Sequence, residues 1–193
     1  MLALKVLGIS GSPRLGGNTD TLLAEVLKGA QSRGAETGTI FICDKDIAPC
    51  QHCDSCLMLG ECKISDDMQQ VYEQMAEADA IVIASPVHFL GLTAQLKAAV
   101  DRCQALWARK YRLKVPPLGE EKMRRGFFVS AGGRTREGNF EPAIATVKAL
   151  FATLDVEYIG ALTFPGVEEK GAILKNPDAL NQAYEAGERL AGG

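Results

Sequence analysis

Aromatic residues are scarce, 6% of 193 positions, and the one tryptophan is Trp107. No apolar run approaches the ~20 residues of a membrane-spanning helix. The longest, about Ala80–Ala84, suits a strand. The opening MLALKVLGISGS carries one lysine and runs into glycines, as a first strand does and a secretory signal does not. Internal repeats, low-complexity tracts and long linkers are absent. So are the Walker form G-x-x-x-x-G-K-[ST] and the dinucleotide form G-x-G-x-x-G. There is no H-E-x-x-H helix, no serine–histidine–acid order and no nucleic-acid motif. A formal charge of −3 gives no reason to expect nucleic acid or an anionic membrane as partner. These absences predict a cytoplasmic protein whose thiols stay reduced.

Against that background the cysteines stand out. Cys50, Cys53, Cys56 and Cys62 fall within thirteen residues, in PCQHCDSCLMLGEC. The spacing is C-x2-C-x2-C-x5-C. Thiolates this close rarely serve a core. They suit an iron–sulfur cluster or a zinc site. The x2-x2 rhythm matches bacterial ferredoxins, whereas the x5 step and the missing proline after it depart from them. Structural zinc usually draws on two separated C-x-x-C knuckles. Cluster, zinc and free thiols all remain open on spacing alone. Cys43 and Cys103 read as small buried hydrophobes.

Strand-like and helix-like segments alternate, the pattern of a parallel sheet covered by helices. Strands are predicted at Leu4–Ile9, Gly38–Ile42, Ala80–Ser85, Gly126–Ser130 and Val156–Thr163. Helices are predicted at Thr19–Ser32 with Asn18 as cap, from Ser65 or Asp66 to about Ala76, and at Gly91–Leu106, Phe140–Leu154 and Pro177–Ala191. Trp107–Glu121 reads as irregular. The simplest arrangement is one doubly wound α/β sheet, with ligands at the carboxyl ends of its strands.

Three loops at those ends carry chemistry. SGSPRLGGNT joins the first strand to a helix N-terminus. Its glycines let backbone N–H groups face an anion; Ser10, Ser12, Asn18 and Thr19 add donors, and Arg14 adds charge. A phosphate monoester is the expected ligand. SPVHFLG, residues 85–91, is apolar for a loop, so Pro86, Val87, His88 and Phe89 suit a flat ring such as a flavin, or else the core. The fourth strand ends in Ser130-Ala131-Gly132-Gly133, small enough for close backbone approach. Arg134 and Arg136 follow as weak anion candidates.

Together SGSPRLGGNT, SPVHFLG…AQLKAAVDR and SAGG resemble the flavodoxin-like NADPH-dependent FMN reductase superfamily, over about residues 3–165. The cysteine run is similar to that of its iron–sulfur flavoprotein branch. The resemblance implies a flavodoxin-like three-layer α/β/α sandwich, with a five-stranded parallel sheet of order 2-1-3-4-5. It implies a single domain over 1–193 with a cysteine-rich insertion at about 43–65. FMN phosphate would meet Ser10, Ser12, Arg14, Asn18 and Thr19. The ring would meet Pro86, Val87, His88 and Phe89 on one edge and Gly132 and Gly133 on the other. Cys50, Cys53, Cys56 and Cys62 would ligate a [4Fe–4S] cluster. His88 stands where the family usually has an aromatic residue.

The activity implied is an FMN-dependent oxidoreductase passing electrons between cluster and FMN, with no side chain required as acid–base catalyst. Alternatives are an FMN-only NAD(P)H-dependent flavin or quinone reductase, and a non-enzymatic carrier with a zinc-stapled loop. Expected partners are NAD(P)H or a ferredoxin-type donor, a small-molecule acceptor, and further copies in a homodimer or homotetramer. The basic residues Arg109, Lys110, Arg112, Lys114, Lys122, Arg124 and Arg125 read as a solvated segment or as a dock for an acidic redox partner such as ferredoxin or for a nucleotide's phosphates.

Overall fold

Ala80–Ala84 is buried at every residue, as a strand covered on both faces must be. It forms the middle of a five-stranded parallel sheet seen in a computed structural model, which describes residues 3–192. The strands are β1 (Lys5–Ser10), β2 (Glu36–Phe41), β3 (Ala80–Ala84), β4 (Arg124–Gly132) and β5 (Val156–Pro165). Their order is β2-β1-β3-β4-β5, as expected, and every neighbouring pair is parallel. The helices are α1 (Asn18–Ser32), α2 (Cys56–Leu59), α3 (Met68–Glu77), α4 (Ala94–Arg102), α5 (Gln104–Trp107), α6 (Glu141–Leu154) and α7 (Pro177–Gly192).

Period-two side-chain alternation sorts the sheet into two cores. Leu7, Ile9, Ile81, Ile83 and Phe128 face α3, α4 and α6, meeting Met68, Val71, Leu96, Val147 and Phe151. Val6, Val82, Phe127 and Val129 face α1 and α7, meeting Leu22, Leu23, Val26, Ala183 and Leu190. Helix α7 lies so close to α1 that a Cβ on Gly187 would sit 1.8 Å from the Val26 carbonyl oxygen. Among the described residues, no helix is long and apolar enough to cross a membrane.

Local chemistry moves several predicted boundaries. Gly17, not Asn18, takes the N-cap of α1. The Asn18 side chain instead donates to the Glu169 carbonyl (2.8 Å) and accepts from the Ile173 N–H (3.2 Å). Helix α4 starts at Ala94 because the Thr93 hydroxyl caps it, accepting from the Leu96 N–H at 3.3 Å. The helix predicted through Leu106 breaks at Cys103. The segment predicted as irregular contains a π-helical turn, Ala108–Leu113, against which α2 packs. Asp66 does serve the start of α3, accepting from the Met68 N–H at 3.0 Å. Strand β4 extends two residues beyond the expected Gly126–Ser130 at each end.

Candidate functional site

The loops after β1, β3 and β4 meet at the carboxyl ends of the strands around a cavity of about 630 Å³. That volume lies in the range of cofactor sites. A larger groove of about 1830 Å³ opens at the opposite, amino-terminal end. It has a rim of mixed charges, including Lys5, Asp79, Lys122 and Glu157. The topology of open α/β sheets favours the smaller cavity as the ligand site.

Ser12, Arg14, Asn18, Thr19, Pro86, Val87, His88, Phe89, Gly132 and Gly133 all line the smaller cavity. Ser10 does not. It is fully buried, and its hydroxyl donates to Asp20 Oδ1 at 2.5 Å. Asp20 also accepts the Gly16 N–H at 2.8 Å and so closes the turn from below. Ser12 holds the turn's far side by accepting from the Arg14 N–H at 3.1 Å. With Gly17 as cap, the N–H groups of Asn18, Thr19 and Asp20 open α1 without an intrahelical acceptor. Asn18 and Thr19 share the cavity wall with Arg14, an arrangement suited to a phosphate.

The ring-side loop is a tight turn. His88 and Gly91 exchange two backbone hydrogen bonds of 3.0 Å each. Phe89 and Leu90 sit between them at φ 49° and 68°. Both centres of a type I′ turn need positive φ, which Asn and Gly usually supply. Two bulky residues there store strain, a feature of ligand clamps. Phe89 is fully exposed beside the cavity.

At the other edge, a Cβ on Gly132 would lie 3.3 Å from Asn139 Nδ2, and one on Gly133 would lie 2.8 Å from Glu168 Oε2. Asn139 is buried, lines the cavity, and leaves Nδ2 without an acceptor. A heteroaromatic ring rich in carbonyl and nitrogen acceptors would satisfy that donor. The residues therefore fit FMN. The Val167–Lys170 stretch after β5 adds a wall that the sequence reading missed. Val167 N–H bonds the Gly132 carbonyl (3.0 Å), and Lys170 Nζ reaches the Leu15 carbonyl (2.8 Å).

The cysteine run forms a loop between Ala48 and Asp66, with α2 inside it. Cys50, Cys53, Cys56 and Cys62 line one small cavity of about 20 Å³. Burial raises the Cys56 thiol pKa, helped by charge on Cys62, Cys50 and Cys53. Hydrogen bonds from the Ser55 backbone and hydroxyl lower that of exposed Cys53. Among the described residues, no three His, Cys, Asp or Glu side chains are arranged to hold a metal ion. The cavity admits about one water-sized group. The fit to a thiolate-bound group is chemical: four thiols surround it, and the buried Arg102 on its wall leaves Nε without a partner. Cys103 is buried as expected, with its thiol pushed up to about 12 by burial. Cys43 is only half-buried, beside Asp44.

Arg102 gave one missed signal. It follows Ala99 by three, placing a cation in helical register with the apolar stripe of α4. Asn139 gave none.

The fold and the cavity define a flavodoxin-like, FMN-dependent oxidoreductase. Residues 4–167 match the model of the NADPH-dependent FMN reductase family, and the chain belongs to that family. It is 36% identical over 172 residues to an iron–sulfur flavoprotein of Methanosarcina thermophila, covering 86% of this chain and 85% of that one. It is 49% identical over 106 residues to an iron–sulfur flavoprotein of Archaeoglobus fulgidus, covering 55% and 54%. In structure it is similar to the NAD(P)H:quinone oxidoreductase from Methanothermobacter marburgensis. There the TM-score is 0.77 at 17% identity, over 98% of this chain and 96% of that one.

Proposed function

We propose that this chain is an iron–sulfur flavoprotein that passes electrons between FMN and a [4Fe–4S] cluster held by Cys50, Cys53, Cys56 and Cys62. The observation that carries the reading is that the four cysteines line one cavity, walled by a buried arginine with an unused donor. Bound FMN supplies one- and two-electron exchange, and a bound cluster one-electron exchange. The chain's own residues bind and orient. Arg14 and the opening N–H groups of α1 take the phosphate. Val87 and the Phe89 turn cover one side of the ring, and Asn139 donates to its edge. Ser10 and Asp20 hold the phosphate turn from behind, and Thr19 borders it. Electrons enter from NAD(P)H or a ferredoxin-type donor and leave to a small molecule or a redox partner protein. Exposed Phe89 and Leu90 at the cavity mouth support a homodimer or homotetramer in which a second copy covers the ring.

One observation favours a second reading, an FMN-only NAD(P)H oxidoreductase: the thiols do not converge to metal-holding geometry. Anaerobic purification with iron, sulfide, zinc and flavin assays separates the readings. Four iron and four sulfide per chain beside one FMN is the expected result. FMN without iron or sulfide would overturn the cluster assignment, and stoichiometric zinc would replace it with a stapled loop.

A further inference from the structure

Arg102 is the last residue of α4, and its side chain is wholly enclosed. Its fork reaches both limbs of the cysteine loop. Nη1 donates to the Ala48 carbonyl (2.9 Å) and to Asp66 Oδ2 (2.5 Å). Nη2 donates to the Ile64 carbonyl (3.1 Å) and to Asp66 Oδ1 (3.0 Å). Ala48 lies two residues before the first cysteine, and Ile64 two residues after the last. One guanidinium therefore closes the loop at its neck. The third donor, Nε–H, is buried without a partner. Arg102 lines the same cavity as the four thiols. Cys50, Cys53, Cys56 and Cys62 are the thiols on that cavity wall.

A neck clamp alone would explain the four bonds of the fork. It leaves the orphaned Nε–H unexplained, since a buried donor without an acceptor is costly. A thiolate is the acceptor its surroundings offer. A cation and an N–H donor at a ligating sulfur favour whichever redox state carries more negative charge, and so raise the reduction potential of the bound group.

We propose that Arg102 is a positioning residue for the cluster: its fork fixes the loop that presents the thiolates, and its Nε–H donates to a ligating thiolate of the shared cavity and raises the cluster's reduction potential. The inference rests on the cluster reading above. Lysine keeps the charge at this position but cannot reproduce the fork together with the Nε donor.

The test is a dithionite redox titration of the anaerobically purified holoprotein, followed by electron paramagnetic resonance. Wild type is compared with Arg102→Lys and Arg102→Gln, with iron, sulfide and FMN counted in each. In wild type the cluster takes one electron from dithionite. In Arg102→Gln the reduction equilibrium falls by about tenfold, ~59 mV for a one-electron couple. Arg102→Lys falls between the two, and FMN affinity stays within about twofold of wild type. Loss of iron and sulfide from Arg102→Gln, with FMN retained, also supports the positioning role. If Arg102→Gln does not fold, the Arg102→Leu/Asp66→Leu pair, which removes both buried charges, takes its place; it still lacks the Nε–H donor, and its midpoint falls in the same direction by less than that tenfold. Variants with full iron and sulfide and the wild-type midpoint would overturn the inference. So would equal loss of cluster and FMN, which a collapsed fold explains. Wild type without iron sinks the cluster reading first and this inference with it.

Discussion

Asp66 is the most exposed point of failure for the cysteine loop. Its side chain is 9% exposed and faces an arginine that is 0% exposed. Its carboxylate takes four hydrogen bonds, two from the Arg102 fork and one each from the Ala48 and Met68 N–H groups. Asp66→Asn keeps the shape but removes the charge and turns an amide donor towards other donors. Arg102 is left as a buried cation. Breaking one side of a buried pair costs roughly 3–5 kcal/mol. At roughly 2–4 °C per kcal/mol for a chain of this size, the melting temperature should fall by about 6–20 °C. Lys97–Asp101 supplies the control: an exposed i,i+4 pair at 2.7 Å on the outer face of the same helix. Asp101→Asn should cost about 0.3–0.5 kcal/mol. Burial raises the Asp66 pKa, but the Arg102 and backbone hydrogen bonds outweigh it and hold it below the ordinary carboxylate value. The pair's stabilisation is therefore complete above the unfolded value near ~3.9 and is lost as pH falls through the lower folded value. Urea and thermal unfolding of FMN-saturated wild type, Asp66→Asn and Asp101→Asn, from neutral pH downwards, measures all of this. A neutral-pH loss for Asp66→Asn no larger than that of Asp101→Asn would refute the buried clamp.

Other outcomes follow from the same contacts. Asn139→Leu removes the buried donor at the ring edge and should weaken FMN binding by about tenfold, read by quenching of flavin fluorescence. Unchanged affinity would move the ring away from Asn139. In protein stripped of metal, Cys53 should be the first cysteine alkylated at mildly alkaline pH and Cys103 the last, since one thiol is exposed and lowered and the other buried and raised. Mass spectrometry orders them; early labelling of Cys103 would contradict the packing of α4. Gly187→Ala pushes a methyl group into the Val26 carbonyl and should destabilise by about 1–3 kcal/mol in urea. No change would mean that α1 and α7 are less closely packed.

The layering was legible because β3 is apolar on both faces and the helices between strands keep their apolar periodicity, whereas the strand order came with the family resemblance. The three loops were legible because glycine clusters and the S-P-V turn fall directly after strands. Contacts between distant segments were not. Asn18 looked like a cap, yet its amide binds the stretch after β5, 151 residues away. Ser10 looked like a phosphate donor, but Asp20 takes its hydroxyl. Arg102 and Asp66 each look like ordinary surface charges until α4 is laid against the neck of the cysteine loop. The break at Cys103 and the π-helical turn after it likewise depend on what the chain packs against.

Flavin-free protein titrated with FMN and, separately, with riboflavin tests most directly whether the start of α1 holds a phosphate. Charge-assisted bonds from Arg14 and the helix N-terminus contribute about 1.5–3 kcal/mol each. FMN should bind one per chain and at least about a hundredfold more tightly than riboflavin. Equal affinity for the two, or no binding of FMN, would contradict the account.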